Sequence, residues 1–430
     1  MTFHRFTAVA ALLAGCQATP PPSTAAPLSS SASSAAATGD PGPATTPLPT
    51  ASAVDPVSSA NAFGADLYGQ LRAAKGNLVC SPLSITLALA MTRDGARGAT
   101  EGAIRRVLHA DGIGPGRFGE LGARLAAPAS AGASDGPTLR IADRLWADAR
   151  AKPLPAFVEL VRTAYGAPLE VADFGADAEA ARVKINGWVA RETSDKIKSL
   201  LPAGSLDAST RLVLVNAVYF KGAWSAKLDP KATRPASFFV DGATPRDVPT
   251  MHATLAAAYA ETPSAQVLEL PYAGAKAGGP ALVMDIVLPK ERQGLGAVED
   301  AFVKGGLAGF VGSLAPRDHI ALSLPRAKLS SAFDLAAGLG ALGMGVAFGA
   351  AADFSGMSTS EPLYLSKAVH QAFVDINEEG TEAAAATGVV MVPKALVRGP
   401  VFNADHPFLF AIRDAASGAI LFVGRVVDPG

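Results

Sequence analysis

One segment near the carboxyl end, residues 378–394, carries signals for both helix and strand. Its glutamates and four consecutive alanines favour a helix, because alanine loses no side-chain entropy there. Gly380 and Gly388 oppose a long helix, and the β-branched residues after Gly388 favour extended structure. A segment that is compatible with two structures constrains the possible fold more than any other stretch of this chain.

As a strand, this segment would place small, uncharged side chains on one face. Thr381, Ala383 and Ala385 share that face, whereas Glu382 points to the other side. Such a face could leave solvent and pack between existing strands without burying a charge. Composition alone favours a different interpretation, a flexible Ala-rich surface loop. Features elsewhere in the sequence are needed to choose between the loop and the strand.

The amino terminus resembles a bacterial lipoprotein signal peptide. His4 and Arg5 precede a short apolar run at 8–14, and the run ends in Leu-Ala-Gly before Cys16. The apolar run is too short to span a bilayer, and small residues before a cysteine suit a processing enzyme. The resemblance implies that residues 1–16 form a signal ending at a lipidated Cys16. The alternative is an ordinary secretory signal with an incidental cysteine.

Residues 17–56 consist almost entirely of Ala, Ser, Thr, Pro and Gly, with Asp40 and Asp55 as the only charges. A stretch of this composition cannot bury enough apolar surface to fold, so we expect a disordered tether. As a flexible coil, about 40 such residues reach on the order of 35 Å. The sequence therefore predicts a globular domain at 57–430, held away from a membrane surface.

Several function classes find no support in the composition. The formal net charge of −1 and the single basic pair Arg105-Arg106 do not indicate a nucleic-acid partner. The six histidines form no close cluster or zinc-protease motif, so we expect no metal and no cofactor. With Cys16 assigned to lipid, Cys80 has no disulfide partner and is expected to be a buried, inert thiol.

The globular part mixes helices and strands. Phe63, Leu67 and Leu71 recur at helical spacing, and Ser81-Pro82 is typical of a helix cap followed by proline in the first turn. Strands are predicted at 212–220, 281–288 and 320–324, and as a hairpin of 408–412 with 420–426. The fold class is therefore α+β, with helices early and strands later.

Several separated motifs in this region make the chain resemble the serpin family. They stand in the right order and at the right spacing from about residue 57 to the end. The motifs are NLVCSPLSI at 77–85, NAVYFKGAW at 216–224, LPR to FDL at 324–335, ADFSGM at 352–357, LSKAVHQ at 365–371, the segment at 378–387 and FNADHPFLF at 402–410.

The resemblance implies a serpin fold of three β-sheets with eight or nine α-helices and an exposed reactive-centre loop. It also implies an inhibitor rather than an enzyme. A target serine protease would attack the loop and form an acyl-enzyme, and the cut loop would then insert into the large sheet. The expected partners are a trypsin-like serine protease and a membrane, through the anchor at Cys16, and the protein is expected to be a monomer. The family's hinge maps onto Glu379, Gly380, Thr381, Glu382, Ala383, Ala384, Ala385, Ala386 and Thr387.

The family's usual loop length places the cleaved bond between Lys394 and Ala395. A lysine at that position would enter the acidic specificity pocket of a trypsin-like protease as a charge-paired side chain. A register error of one or two residues would choose a neighbour such as Val392, and Arg398 is a second alternative. Lys394 could also be no more than a solubilising loop charge.

Other matched positions have structural roles in the family. Ser81, Ser84, Asn216 and His370 resemble the polar cluster beneath the point where the large sheet opens. Trp224 resembles the aromatic residue near the top of the insertion path. None of these residues is expected to be catalytic. The one departure that concerns mechanism is Gly388, which lies within the segment expected to insert and could reduce the energy gained.

Three hypotheses follow. The first is a lipid-anchored inhibitor of trypsin-like serine proteases in the bacterial cell envelope, either periplasmic or on the cell surface. The second is a serpin-fold protein that has lost inhibition and acts as a binding protein or a plain substrate, which would call for bulky or charged inward residues at the hinge. The third is an unrelated lipoprotein, such as a ligand-binding component of a transporter. The small hinge residues and the ordered motifs favour the first.

Overall fold

The structure is a computed structural model that describes residues 54–126, 138–240, 242–274, 281–381 and 399–430. Residues 52–430 form one compact unit. Within the described ranges, no helix is both long enough and apolar enough to cross a membrane. The predicted signal peptide, Cys16 and most of the tether lie outside these ranges.

The described part of the chain contains nine α-helices. Helix starts follow local chemistry: the Ser81 side chain accepts a hydrogen bond from the Ser84 N–H, and Pro82 occupies the first turn of α2, as the sequence predicts. The helices are α1 Pro56–Leu71, α2 Pro82–Asp94, α3 Gly98–Val107, α4 Arg117–Ala126, α5 Pro155–Tyr165, α6 Phe174–Glu192, α7 Leu295–Gly305, α8 Ala308–Val311 and α9 Ala336–Leu339.

The boundary predicted at residue 56 needs a small correction. Helix α1 begins at Pro56, and the Asp55 carboxylate caps it by accepting hydrogen bonds from the backbone N–H groups of Val57 and Ser58. The last two residues assigned to the tether therefore belong to the amino end of the folded domain, because a capping side chain has to lie just outside the helix it caps.

Fifteen strands lie in the same ranges, and all five predicted strand segments are among them. They are β1 Leu78–Cys80, β2 Thr138–Asp148, β3 Glu170–Ala172, β4 Leu212–Ala223, β5 Arg234–Phe239, β6 Pro245–Glu261, β7 Ala265–Pro271, β8 Leu282–Pro289, β9 Ala315–Pro325, β10 Ala327–Asp334, β11 Leu365–Asn377, β12 Gly380–Thr381, β13 Val401–Asn403, β14 Phe408–Asp414 and β15 Ile420–Val426.

These strands form two hydrogen-bonded arrays. The larger has the order β1-β15-β14-β8-β7-β6-β9-β13, with β5 also paired to β6. The long strand β6 pairs with β9 along most of its length and with β7 at its carboxyl end, so two of the three expected sheets are joined through it. The hairpin of β14 and β15 pairs antiparallel, as the sequence predicts.

The smaller array has the order β10-β11-β12-β4-β2-β3 and carries the candidate site. Its two faces are buried differently. One face of β4, including Leu214, Val218 and Phe220, joins the main hydrophobic core, and the opposite face, including Val213 and Val215, packs beneath helix α6. A sheet with both faces covered requires nearly continuous burial along its central strand, and β4 shows this.

Candidate functional site

The candidate site is the seam between strands β4 and β11. These strands pair directly and in parallel from the Leu212–Leu365 pair to the Tyr219–Phe373 pair. Beyond that point the two-residue strand β12 lies between them and pairs antiparallel with both. Gly380 lies opposite Ala223 and Asn377 there. Gly380 and Thr381, the third and fourth residues after β11, thus already occupy the upper end of the seam.

Glycine is required at the first position of β12. Gly380 has a φ of +134°, and a Cβ atom there would lie 2.1 Å from the Gly222 carbonyl oxygen and 2.6 Å from the Trp224 nitrogen. Both contacts are with backbone, so no side-chain rotation could relieve them. The absence of a side chain lets the chain turn out of β11 and enter the seam.

The second position, Thr381, is fully buried. Its hydroxyl is 2.9 Å from the Tyr272 hydroxyl, and the Tyr272 ring stacks on Trp224 at a centroid distance of 4.7 Å. Trp224 also donates two hydrogen bonds to the turn between β11 and β12. Its indole Nε1 donates to the Asn377 carbonyl oxygen at 2.9 Å, and its backbone N–H donates to the Glu379 carbonyl oxygen at 2.8 Å. The structure thus places Trp224 at the top of the seam, where it holds both ends of the turn into β12.

An ion pair between the buried Glu378 carboxylate and the exposed Arg326 side chain fixes the turn between β11 and β12. The Glu378 carboxylate accepts hydrogen bonds from Arg326 Nε at 2.7 Å and Nη2 at 2.6 Å, and from the Thr233 hydroxyl. Burial opposes ionisation of Glu378, but the hydrogen bonds from Arg326 and Thr233 outweigh it, so its pKa lies below the ordinary value. The sequence analysis gives Arg326 no role of its own, although Arg326 belongs to the motif at 324–335.

Deeper along the seam, four of the predicted residues lie close together. His370 on β11 and Asn216 on β4 are register partners, and the ring Nδ1 of His370 contacts the Asn216 side-chain oxygen. The Ser81 N–H donates to His370 Nε2 at 3.2 Å, and the Ser84 hydroxyl accepts from the Asn216 amide. These residues link α2, β4 and β11 across the closed seam.

The protonation of His370 follows from these contacts. Burial lowers its pKa to about 3, so the ring is neutral at ordinary pH. Because Nε2 accepts a hydrogen bond from Ser81, the proton of the neutral ring is on Nδ1, which donates to Asn216. The hydrogen bond from His370 on β11 to Asn216 on β4 thus has a fixed donor and acceptor, and opening the seam would break it.

The structure adds a second residue, after Arg326, to which the sequence analysis gave no role. The Asp143 carboxylate on β2 accepts hydrogen bonds from the Asn216 amide and, at 3.3 Å, from the Ser84 hydroxyl. Burial raises the pKa of Asp143 to about 8, and those two hydrogen bonds offset the effect only in part. The sequence does contain a signal for this residue. In strand β2, Asp143 lies on the same face as Leu139 and Leu145, and a carboxylate on an apolar face needs a polar partner. We call Ser81, Ser84, Asp143, Asn216 and His370 the gate network.

The remaining predicted residues fall in two groups. Glu382 to Thr387 of the hinge and the expected cleaved pair, Lys394 and Ala395, lie outside the described residues, as does Cys16. Cys80 is a free, buried cysteine whose pKa burial raises to about 12, so it is an inert thiol. Among the described residues, no group of three or more His, Cys, Asp or Glu side chains could hold a metal ion.

Comparisons with known proteins agree with this geometry. A family model described as "Serpin (serine protease inhibitor)" matches residues 58–429. Leukocyte elastase inhibitor of Sus scrofa is 39% identical over 392 residues, which cover 87% of this chain and all of that protein. Serpin B8 of Homo sapiens is 41% identical over 359 residues, or 82% of this chain and 93% of the relative. The structure of uncleaved ovalbumin has a TM-score of 0.79 at 31% identity and covers 87% of this chain and all of ovalbumin.

Proposed function

Because the chain belongs to the serpin family and has its fold, we propose that it traps trypsin-like serine proteases through cleavage of the loop between β12 and β13. The protease serine would attack the carbonyl carbon of Lys394 and form an ester, and the amine of Ala395 would leave. The freed strand would then extend β12 down the seam between β4 and β11 and carry the protease with it.

The observation that carries this proposal is the position of β12. Gly380 and Thr381 are already paired with both strands of the seam, in the antiparallel direction that a longer inserted strand would need. Insertion can therefore extend an existing strand and does not have to start a new one. It requires only that the pairing between β4 and β11 open progressively below Thr381, with each newly inserted residue able to hydrogen-bond on both sides.

Continuing the register of β12 gives each loop residue a defined pair of neighbours. Ala383 would lie between Phe220 and Val374, and Ala385 between Val218 and Ala372. These positions share the face of Thr381, which points into the main core. Small side chains there could enter a core that is already filled by aromatic and branched residues without overpacking it.

The same register places Thr387 between Asn216 and His370. Insertion to this depth would break the hydrogen bond that joins these two residues across the seam. A threonine hydroxyl can both donate and accept, so Thr387 could accept from His370 Nδ1 and donate to the Asn216 oxygen. The hydrogen bond lost on opening would thereby be replaced, and the buried polar groups would stay paired.

The backbone terms of insertion nearly cancel in this scheme. Each new backbone hydrogen bond contributes roughly 1 kcal/mol net. About a dozen inserted residues would form bonds on two sides, and the direct hydrogen bonds between β4 and β11 would be lost. The opposing term is the entropy of ordering the loop, about 1–2 kcal/mol per residue. The two totals are similar in size, so side-chain burial decides the outcome, and a single charged inward residue would be enough to stop insertion.

The test of the proposal is incubation with trypsin, followed by denaturing electrophoresis and mass analysis. We expect a covalent complex that survives denaturant and a released carboxyl-terminal fragment that begins at Ala395. Substitution of Lys394 by Gln should abolish both products with trypsin, whereas Arg398→Gln, which removes the alternative basic residue, should leave both unchanged. Complete cleavage without a stable complex would contradict the trapping mechanism and support the plain-substrate alternative.

We also propose that the protein is exported and anchored to a bacterial cell envelope through a lipid on Cys16. The support is the Leu-Ala-Gly-Cys sequence at the end of a short apolar run, followed by the low-complexity residues 17–54. When the full chain is expressed in a bacterial host, it should partition into detergent and incorporate an acyl-chain label. Cys16→Ser should lose both properties, and equal labelling of that variant would exclude Cys16 as the acylated residue.

A further inference from the structure

A cavity of about 480 Å³ lies beside strand β2, on the side away from β4. Its floor is β2, and its walls are helix α4, the end of helix α5 and one face of α2. The lining is mixed. Leu87, Met91 and Leu139 provide apolar surface, whereas Asp143 and Glu192 provide carboxylates.

Local sequence explains why this space is open. Helix α4 presents only small residues to it, among them Gly122 and Ala123. Gly119 lets the helix approach the end of α5, since a Cβ there would lie 1.9 Å from the Ala164 carbonyl oxygen. β2 pairs with β3 from Trp146 to Asp148, and among the described residues no further strand pairs with the preceding part of β2 on the side away from β4.

Asp143 belongs both to the wall of this cavity and to the gate network. Its two hydrogen bonds, from Asn216 and Ser84, both end on Oδ1. The second carboxylate oxygen, Oδ2, accepts no hydrogen bond from the described residues. Asp143 is also only partly buried, because one side of it faces the cavity. A ligand in the cavity could therefore contact Oδ2 without displacing either bond of the gate network.

The charges around the cavity select the class of ligand. Asp143 and Glu192 are acidic, and the one basic lining residue, Arg140, is exposed at the rim. Tyr165 contributes its ring, because its hydroxyl already donates to Asp94 at 2.6 Å. A positive head group would thus meet Asp143 at the base of the cavity, next to apolar surface that can hold a hydrocarbon body.

We propose that this cavity binds a small amphipathic amine, with its ammonium group on Asp143 and its apolar body against Leu87, Met91 and Leu139. Bound amine holds Asp143 in its ionised form. An ionised carboxylate accepts stronger hydrogen bonds from Asn216 and Ser84 than a neutral one does, so the ligand stabilises the closed seam. This effect on the seam rests on the proposed insertion mechanism, whereas the binding itself does not.

The pH dependence of binding follows from the same contact. Asp143 has to lose its proton to pair with the ammonium, and burial raises its pKa to about 8. No charged neighbour contributes to that shift, and Glu192 and Arg140 are the other charged groups lining the cavity. Affinity should therefore fall as the pH is lowered below about 8, and binding in that range should release a proton.

The binding test uses phenylpropylamine and its matched alcohol, phenylpropanol, in titration calorimetry with the full chain. We expect the amine to bind roughly tenfold or more tightly than the alcohol, because a hydrogen bond to a charged group is stronger than a neutral one. Asp143→Asn should remove this preference, since an amide cannot pair with the ammonium. Glu120→Gln is the control, because Glu120 is an exposed carboxylate on α4 that pairs with Arg117 and does not line the cavity.

Two results would overturn the proposal: equal affinity of the wild type for amine and alcohol, or an amine preference that Asp143→Asn retains. If Asp143→Asn does not fold, Ala123→Leu serves as the second variant. It fills the cavity from α4 without touching the gate network, and it should abolish binding of both compounds. Binding that survives in Ala123→Leu would place the ligand elsewhere.

The effect on the seam is measured separately, as the rate of complex formation with trypsin in saturating amine. We expect a slower rate with the amine and no change with the alcohol at the same concentration. An unchanged rate despite saturated binding would overturn the coupling to the gate network. If no complex forms even without ligand, the proposed inhibition fails, and the calorimetric result stands by itself.

Discussion

A charge placed at Thr381 should convert the protein from an inhibitor into a substrate. Thr381 is fully buried, and its side chain faces the Tyr272 hydroxyl at 2.9 Å. The carboxylate at the top of the seam, Glu378, is already engaged by Arg326 and Thr233. An arginine at position 381 would therefore be buried without a partner, or the hinge would have to leave the seam.

The size of the effect follows from the cost of an unpaired buried charge, about 3–5 kcal/mol. If insertion has to bury that charge before its transition state, about 4 kcal/mol slows the step by roughly a thousandfold, since each 1.36 kcal/mol is a factor of ten. Hydrolysis of the acyl-enzyme is not slowed by this substitution. Release of active protease should then outrun insertion.

The assay is titration of trypsin with increasing amounts of Thr381→Arg, together with electrophoresis of the covalent complex. We expect the variant to be cleaved at Lys394 at the normal rate, to form almost no complex, and to require a large molar excess for inhibition. Glu382→Arg is the matched control, because the alternation of a strand would place residue 382 on the opposite face from Thr381, and residue 382 already carries a charge. Undiminished trapping by Thr381→Arg would refute the insertion register.

Three further predictions concern the seam. Gly380→Ala should expel β12 from the seam, because the added Cβ would lie 2.1 Å from the Gly222 carbonyl oxygen. The fraction of trypsin that is trapped should then fall, and trapping equal to wild type would contradict this expectation. His370 has its pKa lowered from 6.5 to about 3, so the unfolded chain binds protons more readily and native stability should fall as pH drops below about 6.5. In His370→Gln, the denaturation midpoint should depend less on pH in that range. Asp143 has its pKa raised from 3.8 to about 8, so its stabilising contribution is present below pH 3.8 and lost as the pH rises towards 8. Asp143→Asn should remove that loss, and a pH profile of stability equal to wild type would contradict the raised pKa.

Local patterns were sufficient to predict the main elements of the fold. The helical spacing of Phe63, Leu67 and Leu71 and the Ser81-Pro82 cap appear in the structure as α1 and α2. Apolar runs predicted β4, β8, β9 and the β14–β15 hairpin, because buried strands need continuous or alternating apolar residues. The motifs then supplied the family, and with it the arrangement of these elements.

Contacts between residues far apart in the chain were harder to predict from the sequence. Asp143 and Asn216 are 73 positions apart, and Arg326 and Glu378 are 52 apart. No local pattern pairs such residues, since their contact depends on the register of β2 with β4 and on the corner between β9 and β10. The entry of β12 into the seam was likewise not predictable from composition, because the same Ala-rich segment suits an exposed loop.

The proposed mechanism requires that the intact chain be held above its lowest free energy until the loop is cut. Its most direct test compares the thermal unfolding of intact protein with that of protein nicked once within residues 382–398 by a zinc protease, which forms no acyl-enzyme. We expect the nicked sample to unfold at a much higher temperature, because the freed strand would fill the seam. Unfolding of both samples at the same temperature would contradict it.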